Sequence, residues 1–420
     1  MVQAGIEAMN FFAGTACLDV YKLAEHRNLD RRRFDNLLMK EKSVALPYED
    51  PITYAVNAAK PLVDALSEDE KNRIEMLITC TESAFDFGKS MSTYCHDQLG
   101  LNRNCRLFEI KNACFSGVAG FQTAVNFILS QVSPGAKALV IATDITRFML
   151  EEGGDAMHME WAFAEPSGGA GAVAMLFSQT PHVFRVDPGA NGSYGYEVMD
   201  TCRPSIDSEA GDSDLSLRSY LDCSENAFLE YQKRVQGADY QNTFGYLAYH
   251  TPFGGMVKGA HRNLMRKHVR GIAPATIEED FTRRMMPGLT YCQRVGNVMG
   301  ATAMLALAST IDNANLEKPE RVGVFSYGSG CCSEFFSGVI TKEGQERMRG
   351  LGMKEQLDRR YELSMDEYED LLVGNNAVKF GTRDVVLDQD FVPQARRAQG
   401  RPTLFLKEIK EFHRKYEWVS

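Results

Sequence analysis

Cys114 lies in the hexapeptide Asn112-Ala113-Cys114-Phe115-Ser116-Gly117, between the strand-like run RLFEIK and the helical pattern CFSGVAGFQTAVNFIL. A cysteine at a helix N-terminus faces backbone N–H groups and the positive end of the helix dipole, which favour the thiolate and bring the thiol below its usual ~8.5. Such a sulfur can carry an acyl group as a thioester. The same position also suits a cysteine that only packs in the core. Glu82 follows the strand-like IEMLITC and is flanked by Thr81 and Ser83. A carboxyl at a buried strand end rises toward the range useful for proton transfer, unless it is solvated or caps a helix. His250 closes the run FGYLAYH and precedes the turn-forming Thr-Pro-Phe-Gly-Gly. Such a turn can hold the ring at the mouth of a cleft, or the ring can serve as a hydrogen-bonding side chain and nothing more. A neutral imidazole can accept a bond there, and a protonated one can donate to a carbonyl oxygen.

Three further stretches could complete a site. Asn297 in RVGNVMG precedes the apolar helical run ATAMLALAST, where its amide either caps the helix or binds a carbonyl. Ser326-Tyr327-Gly328-Ser329-Gly330 follows a strand, and its glycines permit a tight turn whose N–H groups converge on one point. An oxyanion hole suits this turn better than a phosphate cradle, because Cys331 and Cys332 follow it instead of Gly-Lys-Ser/Thr. Those two cysteines are expected in the core. Lys258, Arg262, Arg266 and Arg270 recur at intervals of four, with Lys267 beside them and no acid from 258 to 277. On a helix they share one face, and like charges at that spacing cost a few tenths of a kcal/mol per pair. Either an anionic partner docks there, or acids elsewhere in the fold neutralise the face.

The elements that position these residues read as an α/β pattern. Apolar runs IEMLI, KALVIA, GAVAMLF and RVGVFS have the length and composition of buried strands, with helical stretches between them. Two strand-to-helix transitions resemble each other in plan, RLFEIK into CFSGVAGFQTAVNFIL and FGYLAYH into MVKGAHRNLMRKHVR. They predict two related halves, residues 1–180 and 181–420, with a peripheral segment 346–420 in which KEQLDRRYELSMDEYEDLL and LKEIKEFHRKYEW read as helices.

Bulk properties bound the partners. With 420 residues, 44% hydrophobic and 24% charged, the chain can bury a sizeable core. A net charge of -10 and a pI near 5.4 argue against nucleic acid or an anionic membrane as the main partner. The ten cysteines include no C-x-x-C pair, and the start MVQAGIEAMNFFAG lacks a basic signal segment. We therefore expect a reduced cytoplasm, with neither disulfides nor metal. No apolar run approaches the ~20 residues of a spanning helix, which predicts a soluble protein.

Taken in order, Glu82, NACFSG around Cys114, PSGGAGAVAML, HTPF at His250, RVGN at Asn297 and FSYGSG resemble the 3-hydroxy-3-methylglutaryl-CoA synthase family over residues 1 to about 345. The resemblance implies a thiolase fold of two pseudo-repeated halves in layered αβαβα arrangement, with a C-terminal mostly helical layer, and a homodimer. It implies that Cys114 takes an acetyl group, Glu82 removes a proton from its methyl, and His250 polarises the acceptor ketone while Asn297 positions it. The turn Ser326, Tyr327, Gly328 and Ser329 and the Cys114 amide would hold the acyl oxygen. Phe148 would lie beside the acyl group, where the family usually has a tyrosine, and Phe253 in the substrate pocket.

CoA-using members usually carry a lysine shortly after the catalytic histidine, where this chain has Gly254-Gly255. Together with RRRFDNLLMKEKSVALPYEDP and NAAKP, this resembles the subgroup that works in polyketide β-branching, whose acetyl donor and β-ketoacyl acceptor ride on acyl carrier proteins. In that subgroup no dissociable cofactor is implied, because the phosphopantetheine arm belongs to the carrier substrate. The cations Arg33, Lys258, Arg262, Arg266 and Lys267 would then face the acidic carrier, and Ser216 and Tyr220, with Arg33, would lie along the arm. A primary-metabolism synthase using acetyl-CoA and acetoacetyl-CoA, and a non-catalytic carrier-binding scaffold of the same fold, are the competing readings.

Overall fold

A computed structural model of the chain describes residues 2–30, 34–146, 164–205, 208–374 and 378–420. The strands of its large sheet, numbered here in chain order, are Gly5–Phe12 (β1), Ile74–Cys80 (β2), Arg106–Ile110 (β3), Lys137–Ile145 (β4), Ala170–Ser178 (β5), Phe184–Gly195 (β6), Tyr246–Tyr249 (β7), Glu320–Gly328 (β8) and Cys332–Ile340 (β9). Their spatial order is β7-β8-β9-β6-β1-β5-β4-β2-β3. In the first half β2 runs parallel to β4, and β5 and β1 follow antiparallel. The second half repeats this plan: β7 runs parallel to β8, and β9 and β6 follow antiparallel. The pseudo-repeat is therefore carried by strand order and direction, while β3 extends the first half by one parallel strand. The halves meet edge to edge where Gly5 and Ile6 pair with Arg185 and Phe184.

Alternation along the strands sorts side chains into layers, because successive residues of a strand face opposite ways. Ile78 of β2, Val140 and Ala142 of β4, Ala248 of β7 and Val324 of β8 all point into one central cluster. That cluster holds the helices Ser116–Ser130 (α2) and Thr302–Asn313 (α6). The alternate residues Leu77, Leu139 and Ile141 pack outward against helix Pro51–Asp64 (α1). In the second half Leu247, Tyr249, Phe325 and Tyr327 pack outward against the helices Ser213–Arg234 (α3), Gly254–His268 (α4) and Pro274–Arg284 (α5). Five layers result, αβαβα, with the two central helices shared by both sheet halves. Phe121 of α2 is fully buried among Phe177, Phe184 and Phe336, so one ring joins strands of both halves. Burial of such a side chain contributes roughly 1.5–3 kcal/mol. Residues 113–130 are apolar enough by length and composition to cross a membrane. Here they form that central layer.

The C-terminal layer departs from the expected mostly helical one. Helices Met353–Asp358 and Met365–Gly374 are present, but LKEIKEFHRKYEW falls in an antiparallel hairpin, Thr403–Lys410 with His413–Val419. Its turn residues Glu411 and Phe412 both have positive φ, 49° and 66°. A two-residue turn of that kind usually announces itself with Asn-Gly or Asp-Gly, which this sequence lacks. Although it follows the second half in sequence, the hairpin docks on the outer helix of the first. Arg414 pairs with the α1 cap Asp50 at 2.9 Å, and Asn57 exchanges hydrogen bonds with the Leu404 backbone.

Candidate active site

Cys114 and Glu82 sit at a helix start and a strand end of the first half, His250 at a strand end of the second, and Asn297 just ahead of the turn that leads into α6. Cys114 lies two residues before α2, in a turn made by the Phe115 N–H on the Asn112 carbonyl and the Ser116 N–H on the Ala113 carbonyl. Ala113 takes φ 42°, a conformation that aims the next side chain out of the turn. Glu82 follows β2, and its Oε1 stands 3.6 Å from the Cys114 sulfur. The nucleophile and the carboxylate expected from sequence are thus brought into contact, each from the end of a neighbouring element.

Two residues that sequence reasoning missed hold Glu82 from opposite sides. Arg203, on the strand Thr201–Ser205 of the second half, donates to the Glu82 carbonyl at 2.7 Å and lies 3.5 Å from its Oε2. A guanidinium there favours the ionised carboxylate. Asp144, at the end of β4, is fully buried beneath the same loop. Its Oδ1 accepts from the Thr81 hydroxyl, the Glu82 and Ser83 N–H groups and the Ser83 hydroxyl at 2.8–3.0 Å, and its Oδ2 accepts from the Gly300 N–H at 3.0 Å. Burial, and then the nearby Glu82 charge, push the Asp144 carboxyl up to about 7 against those five donors. Asp144 therefore exchanges its proton near neutrality, directly beneath the Glu82 loop. Asp144 was legible by the same logic as Glu82, a carboxyl in an otherwise apolar strand (KALVIATDI). Arg203 gave no such signal.

The segment after Asn297 interlocks with the Cys114 helix. Asn297 Oδ1 accepts from the Met299 N–H at 3.0 Å and the Thr302 hydroxyl at 2.9 Å, so its oxygen caps the short turn ahead of α6. Among the described residues its Nδ2 has no hydrogen-bond partner, which leaves that group able to bind a carbonyl. A Cβ on Gly117 would stand 2.1 Å from the Gly300 carbonyl, and one on Gly300 2.1 Å from the Ser116 hydroxyl. Glycine at both positions is what lets the two loops touch.

His250 follows β7 and donates its N–H to the Phe325 carbonyl at 2.8 Å, beside the strand that leads into the Ser326 turn. Its ring is buried and Nδ1 has no partner among the described residues. Burial pushes its pKa down to about 3, so the imidazole is neutral at working pH and able to offer a neutral ring N–H as a donor. Tyr220 is fully buried and donates its hydroxyl to the His250 carbonyl at 2.7 Å. It braces His250 from behind and does not line an arm channel as expected. Ser216, in the first turn of α3, and Phe253, the residue ahead of α4, are half-buried.

Ser326, Tyr327 and Gly328 prolong β8 in register with Glu334, Ser333 and Cys332, so the turn expected from Ser326 onward is confined to the residues after Gly328, and it is tied down differently from the expected convergence. The Gly330 N–H goes to the buried carboxylate of Asp200 at 2.8 Å and the Cys331 N–H to the Tyr196 carbonyl at 2.7 Å. The Tyr327 hydroxyl also goes to Asp200. Those donors are occupied and cannot reach an acyl oxygen, which leaves the Gly328–Ser329 end of the turn. A Cβ on Gly328 would stand 2.7 Å from the Phe115 nitrogen, so that end abuts the Cys114 loop, while the Ser326 hydroxyl is buried without a partner among the described residues. Ser329 is half-buried. Cys331 and Cys332 are half-buried as well and lie at the margin of the core instead of within it.

The cationic stripe is largely neutralised. Lys258 and Arg262 of α4 both pair with Glu278 of α5, at 2.7 and 2.6 Å, and Lys267 pairs with Glu225 of α3. α4 ends at His268, which puts Arg270 beyond the helix. Arg266, in the last turn, is exposed and forms no ion pair among the described residues. Arg33 and Phe148 lie outside the described residues.

Cys114 against Glu82, the buried His250 and the capping Asn297 are thus carried by two repeated halves in five layers, the arrangement of the thiolase fold. The family model described as Hydroxymethylglutaryl-coenzyme A synthase N terminal matches residues 2–181, and the corresponding C terminal model matches 264–418. The chain is 68% identical to the polyketide biosynthesis 3-hydroxy-3-methylglutaryl-ACP synthase PksG of Bacillus subtilis, with both chains covered completely. It is 33% identical to the hydroxymethylglutaryl-CoA synthase of Enterococcus faecalis, over 87% of this chain and 90% of the relative. Among solved structures, the curacin biosynthetic pathway HMG synthase in complex with acetyl donor-ACP superposes with a TM-score of 0.95 at 63% identity, covering 99% of this chain and 100% of the other. The chain belongs to the hydroxymethylglutaryl-CoA synthase family.

Proposed function

We propose that this chain is the hydroxymethylglutaryl synthase of a polyketide β-branching pathway, acting on substrates carried by acyl carrier proteins. The Cys114 thiolate attacks the thioester carbonyl of an acetylated donor carrier, and the carrier's thiol leaves with a proton. Glu82 takes a proton from the methyl of the enzyme-bound acetyl group. The resulting carbon nucleophile adds to the β-ketone of an acceptor carrier thioester, whose oxygen accepts a hydrogen bond from His250 and ends as a hydroxyl on taking up the proton that Glu82 removed, which returns Glu82 to its ionised form. Water then cleaves the Cys114 thioester, releasing a carboxylate and restoring the thiol. The observation that carries this reading is the 3.6 Å contact between Glu82 Oε1 and Cys114 Sγ. The methyl carbon of an acetyl group lies two bonds from that sulfur, within the carboxylate's reach. A thiol, a carboxylate and an imidazole supply nucleophile, base and polariser, so the only prosthetic arm the scheme requires is the carrier's phosphopantetheine.

Support for carriers over free CoA comes from the entrance. A Cβ on Gly255 would stand 2.0 Å from the Asn36 carbonyl, so the loop leaves no room for a phosphate-binding lysine there. Among the described residues, Arg266 is the lysine or arginine of α4 that forms no ion pair. Relatives named for ACP substrates, or solved with a donor ACP, fit the same choice. A homodimer is supported by the open edge of β3, where Leu107, Phe108 and Ile110 are half-buried. Work in the cytoplasm is supported by the need to keep Cys114 reduced.

The carrier reading predicts that Arg266→Glu slows acetyl transfer from the donor carrier on the order of ten-fold, because charge complementarity acts on encounter. Transfer from acetyl-pantetheine should hold. Equal slowing from both donors, or a wild type that takes acetyl faster from CoA than from the carrier, contradicts it.

A further inference from the structure

Met299 meets the reacting sulfur on a backbone that methionine rarely adopts. Its φ is 47°, in the left-handed region, a conformation that costs a non-glycine residue on the order of 1–3 kcal/mol. Three contacts hold it in place. Its N–H donates to Asn297 Oδ1 at 3.0 Å, the Gly300 N–H beside it goes to the buried Asp144 at 3.0 Å, and Gly300 itself is pressed against Ser116. The side chain that this backbone presents is 5% exposed, and its Sδ lies 3.9 Å from the Cys114 sulfur. Two non-glycine residues with positive φ thus flank the site, Ala113 aiming the nucleophile and Met299 standing against it.

An acyl group on Sγ places its carbonyl carbon, its oxygen and the next carbon within the shell around the sulfur. Met299 already occupies part of that shell at van der Waals distance. The unbranched thioether can turn aside for a methyl group. The loop behind it cannot follow, because its amides are bound to Asn297 and Asp144, so each further methylene must displace the side chain against a fixed backbone.

We infer that Met299 is the residue that selects the acyl length Cys114 takes from its donor, favouring two carbons over longer straight chains at the loading step, before the acceptor's carbons are joined to the acetyl methyl on its open side. This rests on the reading of Cys114 as the acyl-carrying nucleophile. A methylene that must be accommodated or refused by an apolar wall is worth about ten-fold to two-hundred-fold in selectivity. No specificity of that kind follows from Cys114, Glu82 or His250, which act on the carbonyl, the first methyl and the acceptor.

The test measures acylation rates by intact-protein mass, with acetyl-, propionyl- and butyryl-pantetheine as donors, so that carrier docking plays no part. Wild type, Met299→Ala and Met299→Gly are compared, the glycine variant being one that the left-handed backbone accepts without strain. The expected result is a propionyl-to-acetyl rate ratio raised on the order of ten-fold or more in both variants, with a larger rise for butyryl. An unchanged ratio, or equal slowing of all three donors, overturns the role of Met299 while leaving Cys114 as the nucleophile. Wild type that gains no acyl mass from any donor overturns both readings.

Discussion

Glu82→Gln is expected to lower the condensation rate on the order of 10²- to 10⁴-fold, the usual range for loss of a positioned general base. Acetylation of Cys114 should survive in the same variant. The carboxylate lies 3.6 Å from the sulfur, and attack of that sulfur on the donor carbonyl needs no proton taken from the acetyl methyl. Acyl transfer is therefore retained while proton removal from the acetyl methyl stops. The two half-reactions separate cleanly by mass: the variant should accumulate an acetylated form that neither condenses nor turns over with acceptor. Condensation persisting within ten-fold of wild type would mean that another group takes the proton.

Asp144→Asn should produce the second large loss, through position instead of contact with substrate. Asparagine has one acceptor oxygen and one amide, so it cannot accept from both the Thr81–Ser83 loop and the Gly300 N–H as the carboxyl does. One buried donor is left unsatisfied, at about 1–3 kcal/mol, and the Glu82 loop loses its tie to the Met299 segment. Misplacement of a base by an ångström can cost on the order of 10²-fold, and we expect a fall of that size in condensation. The pH profile supplies a readout that a purely structural role would not move. In wild type Asp144 ionises near 7, and its negative charge makes the adjacent Glu82 a stronger base, so the rate should rise with pH through about 7. His250, held to about 3 by burial, stays neutral and adds no inflection between roughly pH 5 and 8. The variant should lose the rise near 7. An Asp144→Asn protein with wild-type activity and an unchanged profile contradicts this account of the pair.

The residues legible in the sequence were those with a distinctive local context: a cysteine at a helix start, and a carboxyl and a histidine at strand ends. Their partners were less so. Asp144 shared the signal of Glu82 and was passed over, whereas Arg203 and Asp200 lie on and just before a short strand, Thr201–Ser205, outside the large sheet and act across long sequence separations, on Glu82 and on the turn after Gly328. The cationic stripe read as one face because its neutralising acids, Glu278 and Glu225, belong to neighbouring helices that no spacing within 258–277 reveals. Tyr220 illustrates the same limit, since a tyrosine on an amphipathic helix can face a channel or the back of a strand. The C-terminal hairpin misled for a local reason. Its charged residues favour helix, and its Glu411-Phe412 turn carries none of the usual marks, so tertiary docking of Leu404, Phe405 and Leu406 decided the outcome.

That Cys114 holds the acetyl group as a thioester is the claim on which the rest depends. Intact-protein mass after mixing with acetylated donor carrier, without acceptor, measures it directly. The account predicts a gain of one acetyl group, faster from the carrier than from acetyl-CoA, reversed by hydroxylamine and absent in Cys114→Ser. An unchanged mass in wild type, or an acetyl group retained in Cys114→Ser, would contradict it.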